Sequence, residues 1–330
     1  MSERSNLVVI TRGVPVRGAG PGAAPALPGA RVVMAPDHPA QTREGLKALV
    51  RGAGVIVSMF HDRIDTEVLD AAGPGLRGVC NFAVGFDNID LKACRERGVV
   101  VCNCPDAVTE GTANLAWGLV LSVARRLGPA DAYVRRGEFA RQGSPAITDW
   151  LGVHLTGQNL LIVGAGRIGK AVALRGLAFG MRVLYAARTR HVDFELAPLA
   201  AKRVELDEGL ALADVVSVHT PLTEATRHLI DARRIGLMKR TAILVNTARG
   251  PVVDEAALVA ALKGERIWGA GLDVFEDEPR LKPGLADLPN VALTPHIGSA
   301  ERYWREVMTE VVLENARAIL EGREPANRVG

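Results

Sequence analysis

Four side chains of this 330-residue chain stand where chemistry on a carbonyl group would need them: Arg249 in ILVNTARG, Asp273 and Glu278 in AGLDVFEDEP, and His296 in LTPHIGSA. Each lies at or just past a short apolar run, so each is expected near the carboxyl end of a strand, where ligands gather in an open parallel sheet. Their types are complementary. An imidazole can deliver a proton, a carboxylate beside it fixes its tautomer, and a guanidinium stabilises negative charge growing on an oxygen. A single His or Arg in such a place is ordinarily a structural or surface residue; the three together, downstream of a glycine-rich turn, point to catalysis. His219, in VSVHTPL, is the rival imidazole and is read as a structural residue. For His61 and His154 the sequence identifies no carboxylate partner.

The cofactor turn is LLIVGAGRIGKAVA, a strand, a G-x-G-x-x-G turn and a helix start. Gly164 allows the tight turn, Gly166 a close approach of backbone to a pyrophosphate, and Gly169 close packing of helix on strand, with Arg167 and Ile168 between them. Strand before, helix after and second strand behind all fit a dinucleotide site. A free ribose 2′-hydroxyl usually meets an acid about twenty residues past the glycines. Here the chain reads Tyr185-Ala186-Ala187-Arg188-Thr189-Arg190, with Asp193 and Glu195 judged too far along to replace that acid. Arg188, Thr189 and Arg190 suit a 2′-phosphate, so NADPH is expected in preference to NADH.

Behind these residues, strand-like and helix-like runs alternate from end to end. Strands are expected at 7–11, 31–35, 55–58, 78–81 and 99–102, and again at 159–163, 182–186, 215–219, 242–246, 269–273 and 291–294. Gly13 to Gly29 is rich in Pro and Gly and is expected to be loop. A long apolar helix is expected from Thr109, as N-cap, to Leu127, stopped by Gly128-Pro129. The last segment, Arg302 to Glu321, reads as a helix that returns to the first domain. The fold class is α/β, with two Rossmann-like or flavodoxin-like domains built on parallel sheets. The cofactor domain (107–298) is inserted in a substrate domain made of 1–106 and 299–330.

Three stretches in fixed order, NFAVGFDNID (81–90), GAGRIG (164–169) and PHIGSA (295–300), make the chain resemble the D-isomer-specific 2-hydroxyacid dehydrogenases over nearly its whole length, most closely the glyoxylate/hydroxypyruvate reductase branch. The resemblance implies reduction of a small 2-keto acid to the D-2-hydroxy acid by a nicotinamide cofactor. His296 would be the proton donor, Glu278 its partner, and Arg249 the clamp on the substrate carboxylate. Backbone N–H groups near Val84 and Gly85 would hold the same carboxylate, and the loop through Met59, with Tyr303 and Trp304, would wall the pocket. Trp304 is bulkier than that branch leads one to expect. Asp273 would lie toward the nicotinamide, Thr220, Pro221 and Thr247 along the cofactor, and His296 and Gly298 beside it. The resemblance further implies a homodimer, with helix 109–127 as the contact and Leu119 within it. Two alternatives share the fold. A phosphoglycerate dehydrogenase would want an acid near Ala187, and a nucleotide-sensing, corepressor-like module would need no turnover.

Composition narrows the classes. Apolar residues make up 48% and charged residues 23%, with a net charge of +3, which is an ordinary globular balance without a basic stripe for nucleic acid. No apolar run is long enough for a membrane span and the N-terminus does not read as a signal peptide, so a cytoplasmic location is expected. Cys80, Cys94, Cys102 and Cys104 lie in one short stretch without a second ligand cluster, so they are read as packing residues and no metal is expected.

Overall fold

A computed structural model of the protein describes residues 5–20, 22–36 and 42–329. The first four residues of the N-terminal stretch, and Pro21 within the Gly13–Gly29 loop, lie outside the described residues. The chain divides into two compact units, one comprising Met1–Val108 with Ser299–Gly330 and the other Thr109–Gly298.

In chain order, unit 1 starts with β1 (Leu7–Ile10), β2 (Arg31–Met34), α1 (Arg43–Leu49), β3 (Val55–Met59), α2 (Thr66–Ala72), β4 (Gly78–Phe82), α3 (Leu91–Glu96) and β5 (Val100–Cys102). Unit 2 holds α4 (Thr109–Ala124), α5 (Leu127–Arg135), α6 (Glu138–Gln142), β6 (Asn159–Val163), α7 (Arg167–Ala178), β7 (Arg182–Ala186), α8 (Val192–Glu195), β8 (Lys202–Arg203) and α9 (Leu206–Leu212). It continues through β9 (Val215–Val218), α10 (Ala232–Ile235), β10 (Ile243–Asn246), α11 (Glu255–Lys263), β11 (Gly269–Leu272) and β12 (Val291–Leu293). The chain then returns to unit 1 as α12 (Arg302–Glu321) and β13 (Arg328–Val329).

Unit 1 is a sheet in the order β2-β1-β3-β4-β5-β13, parallel except for β13. Unit 2 is an all-parallel sheet in the order β8-β7-β6-β9-β10-β11-β12. Helices cover such sheets on both faces, so central strands read as nearly continuous apolar runs. That is the character of β6, NLLIV, and of β3, VIVSM. Helix starts are set by acceptor side chains: Thr42, Asp65, Asp90, Asp231 and Asp254 each accept a backbone N–H in the first turn of α1, α2, α3, α10 and α11. Each cap contributes about 1 kcal/mol.

Three helix expectations need correction. The long helix ends at Ala124, because Arg126 adopts the left-handed region at φ 54°. Gly128-Pro129 does not stop it but lies in the first turn of α5, where a missing proline N–H costs no helical bond. Thr109 does not cap: its Oγ1 is buried without a hydrogen-bond partner among the described residues. Leu119 is buried inside unit 2, so close to β11 that a Cβ on Gly271 would lie 2.7 Å from its own Cβ. The apolar face of α4 is therefore consumed by its own sheet and by α7, and Leu119 is not on a surface that a second chain could touch. The two-residue strands β8 and β13 were not expected from sequence.

Candidate active site

The order of unit 2 reverses between β6 and β9, so a crevice opens at the carboxyl ends of those two strands. Gly164 follows β6 there at φ 102°, and a Cβ on it would lie 2.8 Å from the backbone of His219 just past β9. Only glycine fits. Gly166 is the N-cap of α7 and no side chain caps that helix, leaving its first-turn N–H groups for an anion. Two buried hydroxyls at neighbouring strand ends, Thr220 Oγ1 and Thr247 Oγ1, have no hydrogen-bond partner among the described residues. Buried polar atoms are rarely left unpaired, so the glycine cradle and the two orphaned hydroxyls fit a bound dinucleotide.

Past β7, Arg188, Thr189 and Arg190 are exposed. Arg190 is already engaged, its Nε donating to Glu195 Oε2 at 2.7 Å, while the Tyr185 hydroxyl donates to Glu195 Oε1 at 2.7 Å. Glu195 thus does not replace the missing acid but holds one of the two guanidinium groups. Asp193 is paired with Lys170 at 2.8 Å.

The proton-transfer candidates come together within unit 2. His296 Nδ1 lies 2.9 Å from Glu278 Oε2, and Glu278 Oε1 accepts the Phe275 N–H at 2.9 Å. Burial pushes the Glu278 carboxyl up, but the bond to His296, its charge, the Phe275 N–H and the Arg249 charge together carry it below the ordinary glutamate value. Glu278 therefore stays ionised at neutral pH, and Arg249 is near enough to act on it electrostatically.

Each group is fixed from behind. Asn246, buried at the end of β10, accepts the Ala248 N–H at 3.0 Å and donates to the Arg249 carbonyl at 2.9 Å. A Cβ on Gly250 would lie 1.9 Å from the Phe275 carbonyl, so the turn after Arg249 can press against the Glu278 loop only as glycine. Asp273 spends both oxygens on the His296 loop: Oδ1 accepts the Thr294 hydroxyl at 2.6 Å and the Ile297 N–H at 2.8 Å, and Oδ2 the Gly298 N–H at 2.8 Å. Burial raises its pKa above the ordinary aspartate value, with those bonds opposing.

The other imidazoles differ. Among the described residues the His219 ring bonds to the Ser217 hydroxyl, at 2.8 Å, and burial lowers its pKa to about 3, so it is neutral. His61 does have an acid nearby, Asp62 at 3.7 Å. Sequence reading missed a second pair, His228 with Glu276 at 2.9 Å. Glu276 belongs to a brace under the Glu278 loop, where Glu255 accepts the Glu276 N–H at 2.7 Å and the Lys282 N–H at 2.8 Å. Nothing in local periodicity links residues 228, 255 and 276; only the sheet order does.

In unit 1, Met59 ends β3 and the Val84-Gly85 turn follows β4. Tyr303 and Trp304 pack edge to face at 4.9 Å, with Arg17 over Tyr303. The four cysteines are free and buried, and burial pushes the Cys104 thiol to about 12. Among the described residues no helix is long and apolar enough to cross a membrane.

The chain is similar to known proteins of one family. A family model described as D-isomer specific 2-hydroxyacid dehydrogenase, NAD binding domain, matches residues 117–298. A glyoxylate reductase of Thermococcus kodakarensis is 47% identical over 295 residues, covering 89% of this chain and 88% of the relative. A crystal structure of a protein from Thermus thermophilus superposes with a TM-score of 0.87 at 45% identity, covering 98% of this chain and 100% of that one. The NADPH-dependent glyoxylate/hydroxypyruvate reductase of Sinorhizobium meliloti, solved in complex with NADP and malonate, gives a TM-score of 0.80 at 30% identity, covering 99% and 97%.

Proposed function

Because this chain belongs to the D-isomer-specific 2-hydroxyacid dehydrogenase family, and is thus a nicotinamide-dependent oxidoreductase, we propose that it reduces a small 2-keto acid of the glyoxylate/hydroxypyruvate class to the D-2-hydroxy acid, with NADPH as the preferred cofactor. The observation that carries the reading is the His296–Glu278 pair at 2.9 Å, in the same unit as the Gly164–Gly169 turn. The names of the relatives, glyoxylate reductases among them, supply the substrate class.

Bound nicotinamide supplies the hydride. His296 would give its proton to the substrate carbonyl oxygen from Nε2, because Nδ1 is occupied by Glu278. Glu278, ionised, favours the imidazolium before transfer and fixes the ring afterwards. Arg249 holds the substrate carboxylate and polarises the carbonyl. Met59 and the N–H groups of Val84 and Gly85 are kept as proposed substrate contacts. The cofactor is assigned to Gly164, Gly166, Arg167, Ile168 and Gly169 for the pyrophosphate, to Arg188 with Thr189 and Arg190 for the 2′-phosphate, and to Thr220, Pro221, Thr247, Asp273, His296 and Gly298 along its length.

A homodimer is kept as part of the proposal, but its face moves to α5, α6 and the following loop. Neither helix buries a residue, and Leu127, Val134, Phe139, Ile147 and Leu151 are exposed there. Such an apolar patch suits a second copy, and sedimentation as a monomer would refute it.

The test is loss of reduced-nicotinamide absorbance against a panel of 2-keto acids with NADPH or NADH. Turnover of glyoxylate or hydroxypyruvate, faster with NADPH, is expected. No turnover with any member sinks the reading, and a strong NADH preference sinks the cofactor assignment alone.

A further inference from the structure

In unit 1 the turn after β4 has an unusual arrangement of its peptide groups. Three successive carbonyls are each bonded to an inward donor: Ala83 O accepts the Cys104 N–H at 2.8 Å, Val84 O accepts Asn103 Nδ2 at 2.8 Å, and Gly85 O accepts Asn81 Nδ2 at 2.8 Å. In a trans peptide the N–H points opposite to the carbonyl it is joined to. The N–H groups of Val84, Gly85 and Phe86 therefore face away from those donors, and among the described residues none of the three has an acceptor. Consecutive N–H groups left without acceptors at a turn can hold an anion.

Two of the three donors are side-chain amides, and they are buried: Asn81 is fully so and Asn103 is 8% exposed. Burying an amide is costly unless its bonds are made, and here they are. Asn81 Oδ1 accepts the Ser58 hydroxyl at 2.9 Å, and its Nδ2 also donates to Asn88 Oδ1 at 3.0 Å, which fixes the amide with its nitrogen toward Gly85. Asn88 in turn donates to the carbonyls of Met59, at 3.0 Å, and Asp62, at 2.9 Å, while Asp62 accepts the Met59 N–H at 2.8 Å and the Thr11 hydroxyl. One network thus ties the Met59 loop to the 83–86 turn. Apolar residues would fill strand ends at lower cost, but they could not turn carbonyls inward.

We infer that Asn81 and Asn103 are positioning residues that aim the N–H groups of Val84, Gly85 and Phe86 at the substrate carboxylate. Phe86 is a third donor beside the two that the resemblance implies. The inference rests on the keto-acid reading above and adds what creates its carboxylate site.

The test compares wild type with Asn103→Asp and Asn103→Ala, using glyoxylate as substrate, oxamate as a carboxylate-bearing inhibitor, and NADPH. Aspartate keeps the shape but cannot donate. Both variants should raise the KM for glyoxylate and the Ki for oxamate together, by about tenfold, as loss of a hydrogen bond to a charged group does. KM for NADPH should stay within twofold. Ser58→Ala, a milder change that only loosens the Asn81 amide, should raise the same two constants by about threefold and serves if the Asn103 variants do not fold. A lowered Tm with unchanged KM and Ki would show the amides to be merely structural and would overturn the inference. Absence of keto-acid turnover in the wild type would instead overturn the functional reading, so the two failures are distinguishable.

Discussion

Two imidazoles lie at strand ends of one sheet in unit 2, and they could hardly be more differently placed. His219, past β9, has a serine hydroxyl for a partner and is pressed by burial to a pKa of about 3. His296, past β12, has the Glu278 carboxylate at 2.9 Å, itself held ionised with the help of Arg249. Position on the sheet is shared. What separates a packing residue from a proton donor is whether a charge of opposite sign was folded in beside it.

Glu278→Gln makes the two rings alike, and is the larger way to break the comparison. The glutamine keeps a hydrogen bond but loses the charge that favours imidazolium, so kcat for keto-acid reduction should fall about a hundredfold with KM for NADPH unchanged. Equal activity would mean that the pair is only structural. Next comes stability. His219 is a base whose folded pKa lies below its ordinary value of 6.5, so the unfolded chain takes up the extra proton as pH falls. Its contribution is complete above pH 6.5 and is lost progressively toward pH 3, at up to about 1.4 kcal/mol per pH unit. His219→Asn should flatten that slope in urea-unfolding midpoints measured across the window; an identical slope would mean the ring is protonated in the folded state.

The smallest effects concern the cofactor. Arg188→Ala should cut the preference for NADPH over NADH by about tenfold. Arg190→Ala should change it only about threefold, because Arg190 is shared with Glu195. Competition assays with the two cofactors read both numbers, and a larger effect at Arg190 would reverse the assignment.

How much of this could be read from the residues follows from the physics of each element. Strands β3, β4, β9 and β10 are buried along their whole length, and β6 past its first residue, so their apolar runs announce them. Strands β8 and β13, two residues each, carry no periodicity to read. The break after α4 depends on one left-handed residue, Arg126, and arginine does not advertise that conformation. Arg249, Glu278 and His296 were visible because each sits beside a strand with its own pattern. The Glu195 contact to Arg190, the Glu255–Glu276 brace and the carbonyls held by Asn81 and Asn103 were not. They join segments whose proximity exists only once the sheets are assembled.

The most direct measurement loads the His296→Ala protein and the His219→Asn protein with NADPH and follows nicotinamide oxidation after adding glyoxylate. The account predicts near-normal oxidation in the His219 variant and, in the His296 variant, bound cofactor that is oxidised about a thousandfold more slowly. Oxidation at the wild-type rate in the His296 variant would contradict it.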